Sequence, residues 1–165
     1  MSFYAVIDTN VLVSAFLKST SVPHIVVDYV FAGDIVPLYN EEILAEYKDV
    51  LNRPKFHFPK EAVELTVNKI KEIGIHFDSI AVNENLPDPK DVVFYAVTMN
   101  ARNEKDAYLV TGNINHFPKA IFYPILLFQK QKEKSVTFSQ INISQTIQKT
   151  FRTPIRIRPY TNITY

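Results

Sequence analysis

The run Phe3-Tyr4-Ala5-Val6-Ile7 holds no charged residue, ends in two β-branched ones, and is followed at once by an aspartate. A continuous apolar run of this length fits a strand covered on both faces, the usual state of a parallel strand, and is too short for a helix. After Thr9 and Asn10, the residues Val11, Leu12, Ala15 and Phe16 recur at helical spacing, with Asn10 placed as the N-cap. The chain therefore begins as strand, aspartate, helix. In open α/β sheets the carboxyl ends of strands are where ligands bind, because the loops there converge on a crevice. Asp8 is either a helix cap or part of a site, and the choice depends on whether other carboxylates reach the same place.

The same grammar recurs along the chain. Ser21 and Pro23 open a second helix that runs to Phe31 and stops at Gly33, and a short strand follows at 35–38. Asn40 caps a helix that begins with Glu41 and Glu42, acids suited to its positive end, and runs to about residue 51. Pro59 starts an amphipathic helix carrying Ala62, Val63, Val67, Ile70 and Ile73, closed by Gly74. Residues 75–82 read as extended, 91–99 as a helix with Asp91 at its N-cap, and 107–110 as a strand ending in Thr111-Gly112-Asn113. Alternating strands and helices predict an α/β domain with a mostly parallel sheet. Past Lys119 the pattern changes: 121–128 could form a buried strand, although Pro124 argues against a central one, and 155–158 alternates Ile with Arg.

With 165 residues the chain has the length of one ordinary domain. It has no cysteine, which excludes disulfides, thiolate metal sites and cysteine nucleophiles. Three glycines and no Gly-rich phosphate motif weigh against a nucleotide-dependent enzyme. No apolar stretch reaches the length of a membrane span and no charged leader precedes an apolar run, so a cytoplasmic protein is expected. The net charge of +1 conceals an asymmetry. Residues 1–118 hold 10 Lys and Arg against 16 Asp and Glu, whereas 119–165 hold 8 against the single acid Glu133. An acidic body with a basic tail suits a nucleic-acid partner, and equally a solvated basic surface.

On the third helix, 100° steps place Ile43, Leu44, Tyr47, Val50 and Leu51 on one arc, with Glu46 at its border. Glu46 is thus the acid there expected to be partly buried, needing a cation, a metal or hydrogen-bond donors. In Leu86-Pro87-Asp88-Pro89-Lys90-Asp91 either aspartate could serve a turn or a cap, yet the loop has the strand-to-helix context of Asp8. Asn113 offers an uncharged oxygen ligand or simply a turn residue. Asp8, Glu46, Asp91 and Asn113 together make an acidic oxygen site. Three anions share a pocket cheaply only when something positive neutralises them, and Mg²⁺ or Mn²⁺ does so while keeping waters for phosphodiester hydrolysis. The four histidines are scattered, and none is assigned to metal.

These stretches, Asp8-Thr9-Asn10-Val11-Leu12, ILAEYKDVLNRPKF, DPKDVVFYAV and AYLVTGNINHFPK, resemble the PIN-domain family, above all its bacterial toxin-like branch, over about residues 3–119. The resemblance implies a three-layer α/β/α domain (1–119) with a parallel sheet, followed by an atypical basic segment (120–165). It implies a metal-dependent ribonuclease in which Asp8, Glu46 and Asp91 occupy the acidic metal positions, with Asp88 as an auxiliary acid. Thr9, Asn10 and Thr111 would orient those groups by hydrogen bonding. Two departures stand out. Asn113 stands where many members carry an aspartate, and the residues after Lys119 do not follow the family's closing strand and helix. The expected function is an endoribonuclease toxin of a toxin–antitoxin pair, with an antitoxin partner and a homodimeric state. Arg53, Lys55, Lys90 and the basic tail would approach the RNA phosphates. The competing reading is a catalytically weak or inactive RNA- or protein-binding module.

Overall fold

A computed structural model describes residues 3–113 and 115–118; the apolar run at 121–128 and the alternation at 155–158 lie outside the described residues. Among the described residues four strands, β1 (Phe3–Ile7), β2 (Ile35–Tyr39), β3 (Ile75–His76) and β4 (Ala107–Val110), form one sheet in the order β3-β2-β1-β4. Every pairing is parallel: Phe3 lies opposite Ile35, Tyr4 opposite Ala107, and Leu38 opposite Ile75. The apolar opening run is thus a central strand, flanked on both edges and buried at Ala5, Val6 and Ile7.

Five α-helices among the described residues connect these strands: α1 (Thr9–Leu17), α2 (Val22–Ala32), α3 (Glu41–Leu51), α4 (Lys60–Ile73) and α5 (Val92–Ala101). From β1 the chain steps to β2 and then β3 in one direction, and β4 returns to the opposite side of β1. Right-handed crossovers then place α1 to α4 on one face of the sheet and α5 on the other, giving the α/β/α arrangement. Reversal of strand order at β1 and β4 creates a switch point at their carboxyl ends. There Asp8 N–H, directly after β1, donates to Val110 O of β4 at 2.9 Å.

Local chemistry explains the boundaries. Ser21 and Asn40 cap α2 and α3 by accepting from His24 N–H and Ile43 N–H. Gly33 ends α2 with φ 85°, the left-handed conformation in which a side chain is strained. α5 buries seven of its ten residues, as expected of a helix that is apolar almost all round. Its Thr98 hydroxyl is satisfied by Phe94 O at 2.7 Å.

Two expectations need correction and a third needs refining. Asn10 does not cap α1: the helix already includes Thr9, and the cap is Asp8, whose side chain accepts from Asn10 N–H. The extended reading of 75–82 holds as strand only for Ile75 and His76. Phe77 N–H still bonds Tyr39 O, but residues 78–81 turn their side chains to solvent and leave the sheet. Asp91 is the N-cap residue of α5, as the sequence predicts, but its side chain makes no capping bond; Asp88 instead caps the short 3-10 turn Pro89–Asp91 by accepting from Lys90 N–H at 3.0 Å.

Candidate active site

The carboxyl ends of β1 and β4, the N-terminus of α1, the middle of α3 and the loop before α5 surround an open pocket of about 190 Å³. Asp8, Thr9, Asn10, Glu46, Val50, Arg53, Asp88, Lys90, Asp91 and Asn113 line it. The structure therefore brings Asp8, Glu46 and Asp91 together from three separate elements, with Asn113 and Asp88 at the same wall. Lys55 is not part of the lining; its ammonium sits 4.8 Å above the ring of Phe56. Arg53 lines the pocket while donating to Asp49 at 2.9 Å, an exposed pair of little energetic consequence.

Asp8 is only 2 % exposed, and both of its oxygens are engaged. Oδ1 accepts from Asn10 N–H at 3.1 Å, and Oδ2 accepts from the Thr111 hydroxyl. That hydroxyl oxygen in turn accepts from Asn113 N–H at 2.9 Å, so the segment after β4 is folded onto the aspartate after β1. Burial pushes the Asp8 carboxyl above its ordinary range; Thr111 and Asn10 N–H oppose this, and the charge of Asp91 adds to it.

Glu46 is half-buried, as its place at the border of the core arc requires. Oε1 accepts from the Thr9 hydroxyl at 2.8 Å, so its partner is a hydroxyl. Desolvation raises the Glu46 carboxyl, with Asp8 and Asp91 adding repulsion and Thr9 and Lys90 opposing. One residue on, Tyr47 is fully buried and donates its hydroxyl to Ile7 O, the last carbonyl of β1, which ties α3 to the strand end. Burial and then the charges of Asp8 and Glu46 hold the Tyr47 hydroxyl well above its ordinary range, so it remains a donor.

Asp91 is 7 % exposed, and Oδ2 lies 2.8 Å from His116 Nδ1. This contact joins residues 25 apart, and nothing in the local pattern around His116 foretells it. His116 is the residue at the site that sequence reading passed over; its nearest signal is its place four residues past Gly112, in the same loop as Asn113.

Two of the three acids are held above their ordinary range, first by burial and in part by the neighbouring carboxylates, so a positive charge placed among them would be stabilised. Among the described residues no three His, Cys, Asp or Glu side chains gather closely enough to hold a cation on their own. The carboxylates border one pocket without closing a three-ligand cage. Mg²⁺ takes one or two carboxylates and completes its shell with waters and substrate phosphates, so an open, hard-oxygen donor set of this kind fits it, and Mn²⁺ likewise.

Comparison with curated proteins and with solved structures gave no match. A family model does match: the PIN domain, over residues 4–115, which takes in all of the pocket and every strand and helix described above except the first residue of β1. Members of that family are typically nucleases and usually bind divalent metal. By fold and by a match over more than half its length, the chain belongs to the PIN domain family.

Proposed function

We propose that this chain is a metal-dependent endoribonuclease that serves as the toxin of a toxin–antitoxin pair in the cytoplasm. The observation that carries the reading is the convergence of Asp8, Glu46 and Asp91 on one pocket, each with a carboxylate oxygen held by a side chain from another segment. Asp8 and Asp91, with Glu46 beside them, would hold Mg²⁺ or Mn²⁺, which supplies transition-state charge stabilisation and a more acidic water. Thr111 and Asn10 N–H fix Asp8, and Thr9 fixes Glu46, so the acids are oriented before substrate arrives. Glu46 is the more open of the carboxylates, and burial raises its proton affinity. It is suited to accept the proton of the attacking water as oxygen bonds phosphorus and the bond to the leaving ribose oxygen breaks, that oxygen taking a proton from solvent. Arg53 and Lys90 at the rim offer cations to the neighbouring phosphates.

The test is cleavage of a single-stranded RNA by the purified chain with Mn²⁺ or Mg²⁺, abolished by EDTA and restored by metal. Absence of both cleavage and metal binding would refute the proposal. An adjacent small reading frame whose product suppresses the activity would support the toxin role, and a measured mass in solution would test the homodimer.

A second reading, a PIN-like module that binds RNA or protein without cutting, is favoured by Asn113 in the position of a fourth acid and by the absence of a closed three-ligand group among the described residues. Salt-sensitive RNA binding that ignores chelator and yields no product would select it.

A further inference from the structure

His116 has no part in the mechanism above, yet its ring is bonded to one of the three acids. Asp91 stands at the N-terminus of α5 without a side-chain capping bond, so its carboxylate is not committed to the helix. A carboxylate that holds a cation can only accept, so in that role Asp91 Oδ2 takes its hydrogen bond from an N–H at His116 Nδ1. The other two acids follow the same plan. Asp8 Oδ2 is held by Thr111 from the segment after β4, and Glu46 Oε1 is held by Thr9 from α1.

We propose that His116 is a positioning residue that fixes the Asp91 carboxylate so that its remaining oxygen meets a divalent cation in the pocket. The inference rests on the reading of the pocket as a metal site. A purely tethering duty for His116 is already filled by other groups. Phe117 is 5 % exposed and packs into the core, and His116 N–H donates to Asn113 O at 3.0 Å, so the segment is anchored on both sides of the ring. The imidazole, 39 % exposed, does not line the pocket, so it acts through Asp91 and not on substrate. Partners of this kind, one bond behind a ligand, typically change metal affinity by about 10- to 100-fold when removed.

The experiment is titration of the full chain with Mn²⁺ alone, followed by calorimetry or electron paramagnetic resonance, beside melting of the metal-free protein. His116→Ala is expected to weaken Mn²⁺ binding about 10-fold or more while melting with wild type in the absence of metal. His116→Asn, whose amide nitrogen falls near the place of Nδ1, is expected to recover most of the affinity. His116→Gln, whose amide falls near Nε2, is expected to recover little. Wild-type affinity in His116→Ala overturns the proposal and leaves the metal site standing. Equal affinities for the Asn and Gln variants, or a loss in His116→Ala that follows lowered metal-free stability, overturn it as well. Failure of wild type itself to bind Mn²⁺ overturns the metal site and the positioning role together.

Discussion

Asp8 shows why capping a helix and lining a pocket are not alternatives. One oxygen caps α1 at Asn10 N–H while the other is held by Thr111, and the residue still borders the pocket. Asn caps about as well as Asp, and an Asn amide can donate to the Thr111 oxygen. Asp8→Asn is therefore expected to match or exceed wild type in metal-free melting temperature, to lose metal-induced stabilisation, and to cut RNA at least about 100-fold more slowly. Wild-type cleavage in metal-controlled assays would reduce Asp8 to a cap. The pH dependence follows from the same group. The Asp8 and Glu46 carboxyls are raised in the folded protein, first by burial, so the native state binds more protons than the unfolded chain across the window between the two sets of values. Stability then falls as pH rises through that window and recovers as it is lowered. Metal-free wild type should melt at a higher temperature near the ordinary carboxyl values, 3.8 for Asp8 and 4.5 for Glu46, than at neutral pH, by a larger margin than Asp8→Asn, and saturating Mn²⁺ should shrink the difference, since metal and proton compete for the same oxygens. A scan of melting temperature against pH in both proteins checks the sign.

At the level of elements, most of the framework was legible because each signal was local. An uninterrupted apolar run predicts β1, Asn40 before Glu41 predicts the start of α3, and the border position of Glu46 on the α3 wheel predicts its half-burial. The misreadings arose where the answer lay in backbone angles or in tertiary contact. Asp8 takes the extended backbone of a cap and Asp91 the helical one, a difference that the identity of the residue does not reveal. Among the described residues β3 lies at the edge of the sheet and pairs with β2 alone, so its strand ends where the side chains become exposed, even though the sequence stays extended in character. His116 meets Asp91 only through the fold. One element junction makes a sharp prediction. A Cβ on Gly74, between α4 and β3, would come within 2.6 Å of both Ile70 O and Pro37 O, two backbone atoms that cannot turn aside. Gly74→Ala must push α4 away from β2, and is expected to cost about 1–3 kcal/mol in denaturant unfolding. Gly112→Ala, where a Cβ meets nothing within 4 Å, is the control expected to cost far less. Equal stabilities for the two variants would show that α4 and β2 do not approach so closely.

For the molecule as a whole, the acid-lined pocket and the charge distribution pose one problem. Residues 1–118 carry a net −6, and phosphate is repelled by such a body unless cations meet it first. Arg53 and Lys90 stand at the pocket, but Arg53 is shared with Asp49. The chain's excess of positive charge lies beyond Pro118, at a net +7 over 47 residues by count, with Arg152, Arg156 and Arg158 close together in sequence. If those residues contact the RNA backbone, they contribute through counterion release, which appears in the salt dependence of binding and not in the metal site. Binding of single-stranded RNA measured in EDTA, where no cutting occurs, should weaken steeply with salt in wild type. Replacing the three arginines by glutamine should flatten the slope of log affinity against log salt by up to about 2, at roughly 0.7 per lost phosphate contact. Mn²⁺ affinity should be unchanged, because the carboxylates are untouched. An unaltered slope would assign RNA approach to the cations of the PIN domain alone, whereas a parallel loss of Mn²⁺ binding would mean that the tail acts on the pocket itself.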